Sequence, residues 1–134
     1  MIKYMLDTNI IAYAINKRSE NIIKNLTKHE PEEICISAIT MAELEYGINH
    51  SSKPEKNRIA LMMFLAEITV IPFDAEAAYD YGEIREDLQR KGELIGANDL
   101  LIAAHARSHG ITLVTHNVGE FSRVENLNYE DWYD

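Results

Sequence analysis

The sequence predicts an α/β fold of three layers: a mostly parallel sheet, helices on both of its faces, and one inserted helical hairpin. Three observations predict it. Short runs rich in β-branched residues alternate with segments whose apolar residues recur at helical spacing, which is the pattern of βα units. The first apolar run, Met1-Ile2-Lys3-Tyr4-Met5-Leu6, ends abruptly in Asp7-Thr8-Asn9, as a buried strand feeding a helix does. The stretch from 37 to 67 reads as helix throughout and is too long for a simple crossover, so it holds the hairpin.

Residues 2–6 are the first strand, with Ile2, Tyr4 and Leu6 on one face and Lys3 and Met5 on the other. Residues 9–15 follow as a short helix that Asp7, Thr8 or Asn9 can cap. A second helix runs from 19 to 27, with Ile22, Ile23 and Leu26 on its apolar side, and Pro31 closes that polar stretch. Residues 33–36 form a second strand. Near Ser37 it gives way to a helix whose buried side holds Ile39, Ala42 and Tyr46, with Leu44 nearby. The break at Ser51-Ser52-Lys53-Pro54 separates this helix from the next, which carries Ile59, Leu61, Met62, Phe64 and Leu65; the two make a projecting hairpin. Residues 68–71 are a third strand stopped by Pro72. Asp74 is placed to cap a helix in which Ala77, Ala78, Tyr81, Ile84 and Leu88 recur at helical spacing. A loop over 91–96 leads through Ala97-Asn98-Asp99 into a strongly apolar helix, 100–106, which Gly110 terminates. Residues 111–115 are the fourth strand. The tail begins with a polar turn or short helix, 116–121, and its apolar residues Val124, Leu127, Trp132 and Tyr133 pack back on the body.

A chain of 134 residues fits one domain, 1–134, with a core of its own. Cys35 is the only cysteine and sits in the apolar run Ile34-Cys35-Ile36, where it reads as a small buried hydrophobe. No basic leader and no run of 18 apolar residues appears, so a soluble, cytoplasmic protein with no membrane partner is expected. With 13 Lys and Arg against 22 Asp and Glu, the formal charge is −9. That argues against binding nucleic acid by surface attraction alone. It leaves room for a nuclease whose acids hold metal, and for docking against a basic partner.

Ligands of open α/β sheets bind at the C-terminal edge of the strands. Asp7 falls there, and Asp99 opens a helix aimed at the same edge. Each alone reads equally as a cap or first-turn acid. Together they point to a cation, because an unpaired carboxylate in low dielectric is costly. Glu43 and Glu45 point about 200° apart on their helix, so one of them faces the edge, and periodicity does not choose between them. Oxygen ligands suit Mg²⁺ or Mn²⁺. Zinc spacing is absent: there is one cysteine, and His29, His50, His105, His109 and His116 form no recognisable ligand set. There is no Walker loop and no glycine-rich dinucleotide fingerprint. Clustered acids with hard divalent ions serve phosphodiester hydrolysis. Lys3, Arg85, Arg90 and Lys91 are the candidate phosphate or RNA contacts, against an ordinary reading as solvated surface.

The residues that follow carry a resemblance over nearly the whole chain. They are Met5-Leu6-Asp7-Thr8-Asn9, Ile36-Ser37, and Met41-Ala42-Glu43-Leu44-Glu45-Tyr46-Gly47. They continue with Ile84-Arg85, Leu88, Gly92, Ile95-Gly96-Ala97-Asn98-Asp99 and Ile102-Ala103-Ala104-His105-Ala106. Leu113-Val114-Thr115-His116-Asn117, Glu120-Phe121 and Asp131-Trp132 complete the set. In that order and spacing the chain resembles PIN-domain ribonucleases, and among them the VapC-type toxins of toxin–antitoxin pairs. The resemblance implies a three-layer α/β/α PIN-like fold with a central, mostly parallel sheet of four or five strands and an inserted helical hairpin. It selects Glu43 over Glu45 and implies a metal cluster of Asp7, Glu43 and Asp99. A fourth catalytic position, often Asp in such proteins, matches Asn117, which is neutral; Glu120 is placed to compensate. Thr8, Asn9 and Thr115 are implied as supporting residues, Thr115 as a partner of the first acid.

The resemblance further implies an Mg²⁺-dependent endoribonuclease, with Mn²⁺ as a substitute. Its substrate would be structured RNA, with initiator transfer RNA cut in the anticodon loop as the candidate. The implied assembly is a homodimer, or a hetero-oligomer with a VapB-type antitoxin that lies on the helices of 9–15 and 37–65 and puts an arginine into the acidic pocket. The alternative is a non-catalytic RNA- or protein-binding module on a PIN scaffold, motivated by the uncharged Asn117. A small-molecule phosphatase and a flap-cutting DNA nuclease fit less well.

Overall fold

The computed structural model describes all residues, 1–134, and shows five parallel strands in the order β3-β2-β1-β4-β5. The strands are β1 (Tyr4–Leu6), β2 (Ile34–Ser37), β3 (Thr69–Ile71), β4 (Thr112–Val114) and β5 (Tyr129–Glu130). Tyr4 pairs with Ile34 on one side and Thr112 on the other, so β1 is central. Its neighbours are reached by crossovers in opposite directions, which makes the end of β1 a topological switch point. The helices are α1 (Thr8–Ile15), α2 (Glu20–Lys28), α3 (Ala38–His50), α4 (Pro54–Phe64), α5 (Ala75–Lys91), α6 (Ala97–Ser108) and α7 (Val118–Phe121).

The three inner strands β2, β1 and β4 are buried on both faces, while the edge strands β3 and β5 are largely exposed, and the sheet separates two apolar cores. Met5, Leu113 and Cys35 pack under α5 and α6 with Leu88, Ile102 and Phe121. Leu6, Val114 and Ile36 pack under α1 and α2 with Ile10, Ile22 and Trp132. Ile2 lies before β1 and packs with the Met5 core, so it does not share the face of Tyr4 and Leu6 as the alternation suggested. No helix is long and apolar enough to cross a membrane.

The helices start where the sequence carries caps. Asp7, Ser19, Ser37 and Asp74 each accept a backbone N–H of the first turn of α1, α2, α3 and α5. Gly92 ends α5 at φ 69°, the left-handed conformation glycine adopts most easily. Ser37 does a second thing: its hydroxyl lies 2.8 Å from Nδ1 of the fully buried His105, tying the start of α3 to α6.

The hairpin of α3 and α4 is present, but it packs against α1 instead of standing clear of the body. Its buried side differs from the expected one. Tyr46 is 69% exposed and stacks on His50, while Thr40 and Ile48 are buried. On α4, Ile59, Met62 and Met63 are exposed and only Leu61 is buried. The apolar residues of this hairpin outnumber the core positions available to them, so periodicity could not sort inner from outer. β5 is the strand not assigned among the elements read from the sequence. Two residues long, it carries no alternation to detect.

Ile102 is fully buried at the middle of α6, against the sheet. Truncation to alanine at such a site removes a side chain and leaves a cavity, so Ile102→Ala should lower stability by about 2–5 kcal/mol in urea unfolding with an unchanged m-value.

Candidate active site

Four acids meet at the C-terminal edge of the sheet, beside the switch point. Asp7 follows β1 and is 5% exposed. Its carboxylate is satisfied by two donors: the N–H of Thr8 at 2.8 Å and the hydroxyl of Thr115 at 2.9 Å. The Thr115 hydroxyl in turn accepts the N–H of Asn117 at 3.0 Å. Asp7 therefore caps α1 and at the same time stands among the acids at the edge.

Glu43 comes from the second turn of α3. One oxygen accepts the Thr8 hydroxyl at 2.5 Å and the other accepts the Asn98 amide at 3.2 Å. Glu45 turns away and binds Arg58 of α4 at 2.5 Å. The helical turn leaves room for only one of them at the edge, and the structure seats Glu43 there.

Asp99 lies in the first turn of α6, against the Cα of Gly96. Glu120, from the single turn of α7, accepts the Gly96 N–H at 3.1 Å and the side-chain amide of Asn117. Because a carboxylate only accepts, Asn117 must present its NH₂ to Glu120. Asn117 thus holds Glu120 by its side-chain amide. The signal for this was the i,i+3 spacing of Asn117 and Glu120 across one turn.

The electrostatics follow from crowding. Burial pushes the Asp7 carboxyl up, opposed by its hydrogen bonds from Thr115 and Thr8, with Glu43 and Glu120 adding to the rise. Asp99 is pushed up to about 7, first by burial, then by Asp7, Glu120 and Glu43. The Asn117 amide and the Gly96 N–H hold Glu120 below its usual range. None of the four acids forms an ion pair with a lysine or arginine. Arg123 lies close enough to favour the Glu120 anion, yet it donates to the carbonyls of Glu93 and Leu94.

The remaining sequence candidates are dispersed. Asn9 is exposed and makes no side-chain hydrogen bond. Lys3 pairs with Glu33 at 3.0 Å before β1, at the opposite edge of the sheet from Asp7, which removes it from this site. Arg90 and Lys91 both pair with Asp87, and Lys91 also with Glu125. Arg85 lies along Tyr81 on the exposed side of α5. Asn98 and Arg123 were missed; Asn98 was legible only as the neighbour of Asp99.

Oxygen donors without a countercharge fit a hard divalent cation. No three of the Asp, Glu, His and Cys side chains converge into a ready ligand shell. The carboxylates are held instead by Thr8, Asn98, Asn117, Thr115 and Gly96. The chemistry of the donor set suits the ion.

This architecture and this acidic edge define a class. The PIN domain profile matches residues 4–127, and the chain belongs to the PIN-domain family. Its place there is the VapC branch. The chain is 48% identical over 130 residues to ribonuclease VapC2 of Rickettsia felis, covering 96% of this chain and 97% of that one. It is 41% identical over 132 residues to the tRNA(fMet)-specific endonuclease VapC of Shigella flexneri, covering 98% and 99%. The crystal structure of VapBC2 from Rickettsia felis bound to a DNA fragment from their promoter contains a chain that superposes with a TM-score of 0.90 at 47% identity, covering 98% and 99%.

The raised Asp99 predicts a pH dependence. A carboxyl whose folded pKa exceeds its unfolded value binds more protons when folded, so stability falls as pH rises through the interval between them. In EDTA the melting temperature should drop between about pH 4, the ordinary carboxyl value, and about 7, then level off. Asp99→Asn should flatten that slope and melt higher than the parent protein at pH 8.

Proposed function

We propose that this chain is the toxin of a toxin–antitoxin pair, an Mg²⁺-dependent endoribonuclease that hydrolyses RNA phosphodiester bonds. The observation that carries the reading is the set of four mutually repelling carboxylates, Asp7, Glu43, Asp99 and Glu120, with no cationic side chain paired to any of them. A bound divalent ion supplies what the chain lacks, a countercharge for the phosphate and a lowered pKa for the attacking water.

The chain's own residues do the rest. Asp7 and Glu43, with Asp99 or Glu120 beside them, would hold the ion, with Mn²⁺ as a substitute. Thr115 and the Thr8 N–H fix the Asp7 carboxylate, and the Thr8 hydroxyl and Asn98 fix Glu43. Asn117 fixes Glu120. Asp99, with its proton lost near neutrality, either completes the cluster or takes up a proton at its carboxyl oxygen as a P–O bond is cleaved. Water adds across that bond, its hydroxyl to phosphorus and its proton to the departing oxygen.

The substrate reading follows the relative from Shigella flexneri, described as specific for tRNA(fMet). Initiator transfer RNA, cut in its anticodon loop, is the substrate we propose. The partner is a VapB-type antitoxin, consistent with the Rickettsia felis complex. An antitoxin arginine in the acidic edge would bind two carboxylates and replace the ion. The exposed Tyr46, Ile59, Met62 and Met63 of the α3–α4 hairpin support an interface, either of a homodimer or of a toxin–antitoxin hetero-oligomer. Glu120 weakens the alternative of a non-catalytic module, since the acid missing at Asn117 is supplied one helical turn later.

Asp7→Asn should abolish metal-dependent cleavage of a transfer-RNA pool and relieve growth inhibition on expression, with the melting temperature at pH 8 in EDTA unchanged or raised. Cleavage surviving in a nuclease-free preparation of that variant would overturn the reading. Thr115→Val, which removes a partner of the first ligand and leaves the ligand in place, should lower Mn²⁺ affinity and turnover by about 10–100-fold. Calorimetric titration of Mn²⁺ reads the first quantity independently of activity.

A further inference from the structure

Beside the acidic edge stands a group of aromatic rings that the carboxylate chemistry does not use. His116 directly follows Thr115, the residue that fixes Asp7. Its ring stacks on Tyr133, with centroids 4.3 Å apart and planes 27° apart. Tyr13 of α1 meets both edge-on, at 6.0 Å from His116 and 4.9 Å from Tyr133. The arrangement is fixed by Asp131, which accepts His116 Nδ1–H at 3.0 Å and the Tyr133 N–H at 2.9 Å. The rings are not sealed in the core: Tyr13 and Tyr133 are half-buried and the His116 side chain is 44% exposed. Trp132, their neighbour in the chain, is buried and belongs to the core.

Eight of the thirteen Lys and Arg side chains form no ion pair, and two of these lie just past α1. Lys3, Arg58, Arg90, Lys91 and Arg107 are all paired to carboxylates. Lys17 and Arg18, just past α1, form no ion pair, and the Arg18 guanidinium sits 5.6 Å over the Tyr13 ring. Of the acids close by, Asp131 bonds to the shelf itself and Asp134 to Ser19, while Glu20 shares a surface pocket with Lys17. Tyr13 lies six residues along the helix from Asp7, about 9 Å at the rise of an α-helix. A single strand covers that distance in a few nucleotides, at about 3.4 Å per stacked residue.

Exposed rings with free cations beside them are what binds unpaired nucleic-acid bases, the rings taking the base faces and the cations the phosphates. We propose that Tyr13, His116 and Tyr133, with Arg18 and Lys17, form a subsite that holds unpaired nucleotides of the RNA next to the scissile phosphate. This rests on the ribonuclease reading and adds to it the residues that would hold the unpaired segment beside the cut. It also accounts for how a chain of net charge −9 grips a polyanion, because stacking needs no excess of positive charge.

The test uses full-length protein carrying Asp7→Asn, so that RNA stays intact, and a labelled single-stranded oligoribonucleotide followed by anisotropy. Tyr13→Leu and Tyr133→Leu should each weaken binding about tenfold, the loss expected when one stacked base is released, while Tyr133→Phe keeps the parent affinity. Arg18→Gln should reduce the slope of log affinity against log salt by about 0.7, one phosphate contact on a single strand. On the Asp7 background, the same substitutions should raise KM for looped RNA and leave cleavage of a dinucleotide, too short to reach the shelf, unchanged. Parent affinity in folded Leu variants, with melting curves matching the parent, would overturn the subsite and leave the nuclease standing. A protein that neither binds nor cuts any RNA would overturn both. Loss of antitoxin capture with RNA affinity intact would assign the shelf to the protein partner and overturn the proposal.

Discussion

Everything at the functional edge depends on how one buried carboxylate is satisfied. Asp7 ends the central strand, nearly sealed from water, where an unpartnered charge would be untenable. Two hydrogen bonds make it tenable, one local and one from the far end of the chain. The Thr8 N–H comes with the helix it caps, and the Thr115 hydroxyl comes with β4. These bonds lower the cost of the anion but do not abolish it, and the neighbouring acids raise it again. The acids are therefore held close together by a scaffold stable enough to bear their mutual repulsion, which a cation at the edge would relieve.

The scaffold bears it through two cores on opposite sides of a thin sheet. Strands of two to four residues have little pairing of their own, so the sheet is held mainly by what covers it. On one face α5 and α6 run as a hairpin and set Asp99 at the edge. On the other, α3 brings Glu43, and Ser37 at its first turn is bonded to His105 of α6. The helix carrying one acid is thereby tied to the helix carrying another across the end of β2.

The sequence was most informative where local rules and global fold agree. Caps at Asp7, Ser37 and Asp74 mark helix starts, and the alternation of strand and helix signals gives the topology class. The first three acids could be named because two sit at junctions, where chain direction predicts location, and the third was picked out by resemblance. The faces of α3 and α4 were illegible, since Tyr46, Ile59 and Met62 are as apolar as a core residue and stand outside it. Lys3 lies at the opposite edge of the sheet from Asp7 although it is close in sequence, because the length of β1 separates them. The contact between Glu120 and Asn117 could not be read from either residue alone, because it is a hydrogen bond between their side chains.

The all-parallel sheet has a consequence for how the molecule comes into being. Antiparallel neighbours can zip from a tight turn, whereas parallel strands require long crossovers to close first. Here the pairing of Tyr4 with Thr112, and the bond between Asp7 and Thr115, 108 residues apart, join nearly opposite ends of the chain. A partly folded chain can have its first strand and first helix in place and still possess no acidic crevice. The acidic crevice is thus complete only when the most distant segments of the chain have met.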